Sequence, residues 1–561
     1  MAAVTWRSCR FSGAGAAIGP ATCGQKGLWL DIAAKDHRTA FFNPSKEVEV
    51  PAGLSVGDLL GGLRTLVVRH QSLRTVLYRD GDGALTQEVR ADGAIDVPLV
   101  EIGDDAEALW DAVAGHRRDV ERQPFDLAAD LPLRPAVFLS GGKPVAVLLC
   151  TAHTAADGTG VGNLAADYGR LLAARTGGDG ALPPARQPLE QARYERSARG
   201  RRRLSKALRH WRTVLETAPR TMFPTEPDGP PRYHAGTLYS RAAGPALNAA
   251  ARRYAVSGST VLLAATAAAL GRHTGMPRCP VQLISANRFT DAEVNAVACM
   301  IQGTPAVIDL DRPRFRDVVE DAWEAAIRAL RHGVYDRDRL PGIIASAQRR
   351  RGVALDLSCF FNDMRARTEP DAAPAAATDA ATLAEAARDT RFRVEDAVEQ
   401  EKFALYAENA STYEDETDEL VELVRLTVHA DARFVDPGAL RALLSGIENL
   451  LVQAACREVR MDEIGEVTGI APPVRTGRWV LHGGCWVDLG AVERMLREAV
   501  DVTDVRVEAG RAPDGTEEIV ARLRPRAGGL TAEDVRAACL RALPGRQTAV
   551  VPGRFVLEGG A

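Results

Sequence analysis

The stretch Thr151-Ala152-His153-Thr154-Ala155-Ala156-Asp157-Gly158 decides how this chain is read. It follows the apolar run Val145-Ala146-Val147-Leu148-Leu149-Cys150, which has the length and composition of a buried strand. A strand that ends in a turn can hold an imidazole in one orientation, and Asp157-Gly158 closes that turn. A histidine titrating near neutrality can take a proton from an attacking amine, alcohol or thiol. Gly158 is expected to allow a backbone conformation that a larger residue would resist. The same eight residues also fit a histidine held in an ordinary loop after a strand, so the rest of the chain has to choose between the two.

Strand and helix signals alternate on both sides of this stretch. Leu131 to Phe138 reads as a neighbouring strand. Leu59 to Val68 has helical spacing, and Asn163 to Ala174 places Leu164, Tyr168, Leu171 and Leu172 on one helical face. Residues 1–20 are rich in Gly and Ala and are expected to be poorly ordered. A Gly/Pro-rich linker runs from Thr176 to Pro184. A charged helix follows through Trp211 and carries the basic cluster Arg199 to Lys206. That cluster is either a solvated helix face or a docking patch for an acidic partner. Ser259 to Leu270 reads as a buried helix capped at Ser257 or Ser259. Val281 to Ser285 is a short strand ending at Asn287-Arg288. Pro370 to Ala387 is alanine-rich, either a loop or a weak helix. Leu420 to His429 alternates as a strand, and Pro437 to Ala455 is an amphipathic helix. After a second linker around Ile470 to Pro473, the last hundred or so residues alternate as a small α/β unit.

The composition narrows the function. At 561 residues the chain is long enough for several domains, and its 46% apolar and 26% charged residues are ordinary for a globular protein. A formal net charge of -4 gives no global field favouring nucleic acid or an anionic membrane surface. Nine scattered cysteines form no CxxC pair, which leaves zinc and redox motifs without support. No signal peptide or apolar run of membrane-spanning length stands out. The expectation is a cytoplasmic protein with no nucleic-acid partner, no membrane and no metal.

Several segments taken in order resemble the condensation domain of nonribosomal peptide synthetases. They are Gln25-Lys26-Gly27-Leu28-Trp29, Arg69 to Thr75, Pro124-Phe125-Asp126-Leu127 with Leu133-Arg134, and Ala152 to Gly158. His210-Trp211, Phe223-Pro224-Thr225, Ser259 to Ala264, Ser285-Ala286-Asn287-Arg288 and Phe360-Phe361-Asn362 follow. The catalytic signature of that family is His-His-x-x-x-Asp-Gly, and its first histidine is Ala152 here. The resemblance implies an α/β fold of two chloramphenicol-acetyltransferase-like lobes forming a tunnel, residues 21–175 and 190–460. It implies a catalytic His153, acting as general base or as positioner of the nucleophile. Asp157 would be a structural carboxylate paired with an arginine, Arg288 in the first instance, with Arg69 and Arg74 as alternatives. Gly158 would bring its backbone N–H near the reacting carbonyl.

Residues 475–561 resemble the small C-terminal subdomain of adenylation domains, from His482-Gly483 through Val487-Asp488-Leu489-Gly490 to Pro552-Gly553-Arg554-Phe555-Val556. Neither the Gly-Lys motif of that subdomain nor a glycine-rich phosphate loop is found, so no ATP-driven activation is expected. The expected function is that of a free-standing condensation enzyme. It would move an acyl or aminoacyl group from a phosphopantetheine thioester on a carrier protein to an amine, with ester formation or acyl-CoA as variants. The partners would be a carrier protein, an adenylating enzyme and a small amine or alcohol acceptor. A catalytically silent platform that recruits carriers is the rival of a different class.

Overall fold

The computed structural model describes residues 4–34, 43–102, 106–365, 379–398, 401–413, 420–512, 515–527 and 529–558. The chain divides into two compact units. The first comprises residues 1–208, 285–302 and 332–338, and the second comprises the rest. This differs from a break at 175–190. The helices Pro188–Arg196 and most of Ala198–Thr217 belong with the first unit, and two later segments return to it. Composition marks a flexible linker but carries no record of a segment that leaves one unit and re-enters another.

The first unit is built on a five-stranded mixed sheet, in the order Val4–Phe11, Gly93–Ile102, Leu133–Ser140, Lys143–Thr151, Ser45–Glu49. The strand Lys143–Thr151 is covered on both faces. Val147 and Leu149 pack with Leu59, Leu63, Leu66, Leu164 and Tyr168, whereas Ala146, Leu148 and Cys150 pack with Val113 and Val120. A strand buried on both sides has no polar face, which is why this one reads as an unbroken apolar run. Its partner Leu133–Ser140 pairs antiparallel, Val137 opposite Val147.

Within the N-terminal stretch expected to be poorly ordered, residues 4–11 and 17–20 form strands. Val4–Phe11 pairs antiparallel with Gly93–Ile102, and Ala17–Pro20 joins a three-stranded sheet with Leu85–Val89 and Thr75–Arg79. Val4–Phe11 is an edge strand. Cys9 and Phe11 are buried while Val4 and Trp6 stay exposed, so the apolar alternation that marks a half-buried strand is blurred.

The second unit centres on a seven-stranded sheet, in the order Gln302–Asp309, Arg278–Ser285, Cys359–Asp363, Phe403–Tyr413, Leu420–Asp431, Tyr233–Ser240, Arg391–Asp396. The helix Gly258–Thr274 is buried along nearly its whole length and is capped by Ser257, whose side chain accepts from the Thr260 N–H. It ends at Gly275, whose φ of +66° is the left-handed conformation that glycine adopts without steric cost. Half of the alanine-rich segment expected between 370 and 387, residues 370–378, lies outside the described residues. Its end forms the short helix Ala380–Ala386.

The C-terminal residues form a hairpin, Trp479–His482 with Cys485–Asp488, then the helix Leu489–Ala499. A three-stranded sheet of Val502–Arg511, Glu517–Pro525 and Arg554–Leu557 and the helix Ala532–Ala542 complete them. They have an apolar core of their own but are joined firmly to the rest of the second unit. Arg220, 2% exposed, donates to the carbonyls of Gln547 and Trp486, the latter at 2.9 Å. The Trp486 indole N–H donates to the Gly275 carbonyl at 2.7 Å. Glu226 accepts from the backbone N–H of Thr548 at 2.8 Å and from its hydroxyl at 2.5 Å. Among the described residues no single helix is long and apolar enough to cross a membrane.

Candidate active site

The strand Lys143–Thr151 ends directly before the site, and the helix Gly158–Arg175 begins directly after it. Between them the chain turns tightly. The N–H groups of Ala155 and Ala156 both donate to the Ala152 carbonyl, at 2.9 and 3.3 Å. His153 sits on this turn, half-buried. Ala152, at the position of the family's first histidine, is 1% exposed.

Asp157 caps the helix and is wholly buried. Its Oδ1 accepts from the Gly160 N–H at 2.8 Å and from Arg288 Nη2 at 2.5 Å, and its Oδ2 accepts from the Met300 N–H at 2.8 Å. A buried carboxylate is costly unless it is both paired and hydrogen-bonded, and this one is both. A carboxylate at the first turn is further stabilised by the helix N-terminus.

Arg288 grips the segment that wraps over this cap. Its Nη1 donates to the carbonyls of Glu293 and Ala296 at 2.8 and 3.1 Å, and its Nη2 donates to that of Ala298 at 3.1 Å. Arg288 is therefore the counter-ion that the motif order points to. Arg69 and Arg74 are not. Arg69 donates to the Pro183 carbonyl and lies 3.9 Å from Asp167. Arg74 is spent on the carbonyls of Gly15 and Arg90, at 2.9 and 2.7 Å, and of Ala14 at 3.0 Å. Arg69 ends the helix Val56–Arg69 and Arg74 ends the short 3-10 turn Gln71–Arg74 that follows, where basic residues close in sequence say nothing about which partner each will meet. His70 is buried and lies 3.1 Å from Asp167, in the same structural cluster.

Gly158 does not take the backbone conformation expected of it. It is the first residue of the helix, its φ is not positive, and a Cβ added there would meet nothing within 4 Å. Its identity answers to open space above the turn, not to backbone strain. The glycine that packing requires is Gly160. A Cβ there would lie 2.9 Å from the Ala298 carbonyl oxygen and 3.1 Å from the Ala298 nitrogen.

Two further residues hold the same wrapping segment. Asn163 Nδ2 donates to the carbonyls of Val294 and Ala296, at 2.7 and 3.1 Å. Asn287 takes a left-handed φ of +56° and donates through Nδ2 to the carbonyls of Met300 and Gly333, at 2.8 and 3.1 Å. An asparagine tolerates that conformation better than most residues. Gly160 and Asn287 stand beside the motif residues Asp157-Gly158 and Arg288 in sequence, but nothing in the sequence marks them, or Asn163, as supports. The arrangement thus fixes a histidine on a rigid turn beside open space at the start of a helix, with its support neutralised and buried. Among the described residues, no group of three or more His, Cys, Asp or Glu side chains is placed to hold a metal ion.

The chain matches the condensation-domain family over residues 17–417. It is 28% identical over 338 residues to a dimodular nonribosomal peptide synthase of Bacillus subtilis, covering 57% of this chain and 14% of that protein. It is 26% identical over 327 residues to one of the linear gramicidin synthase proteins of Brevibacillus parabrevis, covering 56% of this chain and 4% of that protein. The chain therefore spans only a small part of these relatives. Among solved structures, SgcC5 from Streptomyces globisporus superposes with a TM-score of 0.60 at 20% identity, covering 81% of this chain and all (100%) of that one. The first condensation domain of the calcium-dependent antibiotic synthetase gives 0.57 at 18% identity, covering 80% and 99%. The X-domain from teicoplanin biosynthesis gives 0.54 at 21% identity, covering 79% and 96%. With its strand-turn-helix site and its chloramphenicol-acetyltransferase-like α/β fold, the chain belongs to the condensation-domain family of nonribosomal peptide synthesis.

Proposed function

We propose that this protein is a condensation-type acyltransferase that moves an acyl or aminoacyl group from a carrier-protein thioester to an amine. The observation that carries the reading is the position of His153 on a turn anchored by the Asp157–Arg288 pair, beside the open approach over Gly158. As the amine nitrogen attacks the thioester carbonyl, the C–N bond forms and His153 accepts the ammonium proton. The C–S bond then breaks, and that proton goes to the departing thiolate. Orientation supplies much of the acceleration in such a step and proton removal a further share. The first turn of the helix Gly158–Arg175 offers N–H groups and the positive end of its dipole to the developing oxyanion. The thioester supplies the driving force, so neither nucleotide nor metal enters the step.

Ala152 does not count against this reading, because that position is 1% exposed and packed within the fold. The C-terminal module is proposed as a fixed platform for a carrier protein or an adenylating enzyme. An alcohol acceptor would use the same histidine and give an ester. Intact-mass analysis of acyl-loaded carrier proteins incubated with pooled amines and alcohols tests the reading and names the acceptor class. Loss of the acyl group with a new amide, absent with His153→Ala, supports it. Equal product from wild type and variant would sink it.

A further inference from the structure

The helix Ala198–Thr217 buries Ala207, Trp211 and Leu215 and turns a different face outward. On that face Arg199, Arg202 and Lys206 stand three and four residues apart, in one stripe along the helix. Arg201 leaves the helix on another side, and Arg193 and Arg196 add exposed charge on the preceding helix Pro188–Arg196. All six are exposed, and none forms a salt bridge among the described residues. Elsewhere in the chain exposed arginines commonly have a carboxylate at hand, as Arg312 has Asp321 and Arg314 has Asp317. In a chain whose net charge is -4, three exposed cations in one helical stripe with no salt-bridge partner among the described residues are a local departure.

An apolar anchor sits next to the stripe. Arg203, between Arg202 and Lys206 in sequence, stacks over the Phe289 ring at 4.0 Å, yet Phe289 remains 51% exposed. Val294, on the same short segment, is 49% exposed. An exposed aromatic framed by arginines is the composition that dominates binding energy at protein interfaces. Phe289 follows Arg288 directly, so this surface borders the segment that locks Asp157.

We infer that the stripe Arg199, Arg202 and Lys206, with Phe289, is the docking surface for an acidic helix of the carrier protein that brings the thioester; this rests on the acyl-transfer reading above. A partner helix carrying carboxylates at three- and four-residue spacing matches the stripe, and one apolar side chain meets Phe289. A nucleic acid fits less well, because a single exposed ring offers no stacking ladder and the chain as a whole is acidic. Opposite charge across such a surface speeds encounter and makes binding fall with salt.

The test uses the full-length protein and purified phosphopantetheinylated carrier proteins graded from neutral to strongly acidic. Binding of each is measured across a salt series, for wild type, for a triple Arg199→Glu, Arg202→Glu, Lys206→Glu variant, and for Phe289→Ala alone. Transfer is measured from acyl-carrier and from free acyl-pantetheine. The expected result is preference for acidic carriers, about tenfold weaker binding by the triple variant with a flatter salt dependence, and unchanged transfer from acyl-pantetheine. Binding indifferent to both variants would overturn the inference. So would the absence of any carrier binding, or binding of duplex DNA or anionic vesicles alone through the same residues. Carrier binding through the stripe without transfer from either thioester would leave the docking surface standing and remove the acyl-transfer reading.

Discussion

Arg288 in the first unit and Arg220 in the second are both withdrawn from water, but different partners satisfy them. Arg288 faces a carboxylate, Asp157, and donates through Nη1 and Nη2 to three carbonyls of one wrapping segment. Arg220 has no carboxylate in salt-bridge contact among the described residues; it donates to two carbonyls of the C-terminal module, and burial pushes its guanidinium pKa down. The difference separates two uses of a buried cation. A neutralised pair fixes one turn to within a narrow geometry and leaves the charge balance of the site unchanged. An unneutralised guanidinium bonded to backbone welds one subdomain to another, because nothing but those carbonyls can replace the water it gave up. A swinging module would have to expose and rebury that arginine at each movement.

Breaking the first pair should have the largest effect. Arg288→Ala leaves Asp157 buried without its partner and frees three carbonyls. Unfolding in denaturant should show a loss of about 3–5 kcal/mol, and transfer should be lost with it. A loss under about 1 kcal/mol would mean that the pair is not what holds the turn.

Arg220→Ala should come next. Each carbonyl left without a donor costs roughly 1–3 kcal/mol, and the loss should be local. Hydrogen exchange should show the amides of residues 485–499 opening first, while those of Gly158–Arg175 keep their protection. Uniform loss across both units would contradict the division of labour between the two arginines.

A smaller effect distinguishes the two glycines of the site. Gly160→Ala drives a Cβ against the Ala298 backbone and should cost about 1–3 kcal/mol. Gly158→Ala meets open space and should stay within about 0.5 kcal/mol of wild type, with its effect confined to transfer. Thermal unfolding of the two variants side by side checks both.

The remaining effect lies in the second unit and appears only at acid pH. His429, in the strand Leu420–Asp431, stands edge-on to Tyr406 at 5.5 Å, and burial lowers its pKa from 6.5 to about 4. The fold thus favours the neutral ring. That contribution is complete above pH 6.5 and is lost as pH falls towards about 4, because the unfolded chain takes up the proton first. His429→Phe should flatten this acid limb of the melting-temperature profile. An unchanged acid limb would show that the ring's titration does not contribute.

Much of the site was legible because its core is local. The apolar run, the turn and the cap fall within twenty residues, and each has a signature of composition or spacing. The partner of Asp157 was reachable only through the resemblance, since Arg288 stands 131 residues away and Arg69 and Arg74 are equally basic. Gly160, Asn163 and Asn287 were not legible as supports. Their partners are mainly backbone atoms of residues 294–300 and 333, and backbone contacts leave no mark on the residues that receive them. The same holds for the return of residues 285–302 and 332–338 to the first unit. The N-terminal strand was missed because edge position leaves Val4 and Trp6 in solvent and hides the alternation.

The central claim is that His153, on its locked turn, moves the acyl group. The most direct test is single-turnover deacylation of an acyl-loaded carrier protein by wild type and His153→Ala at saturating amine, with circular dichroism showing that both are folded. The variant should be slower by about 10²- to 10⁴-fold, with carrier affinity retained. Equal rates from the two folded proteins would contradict it.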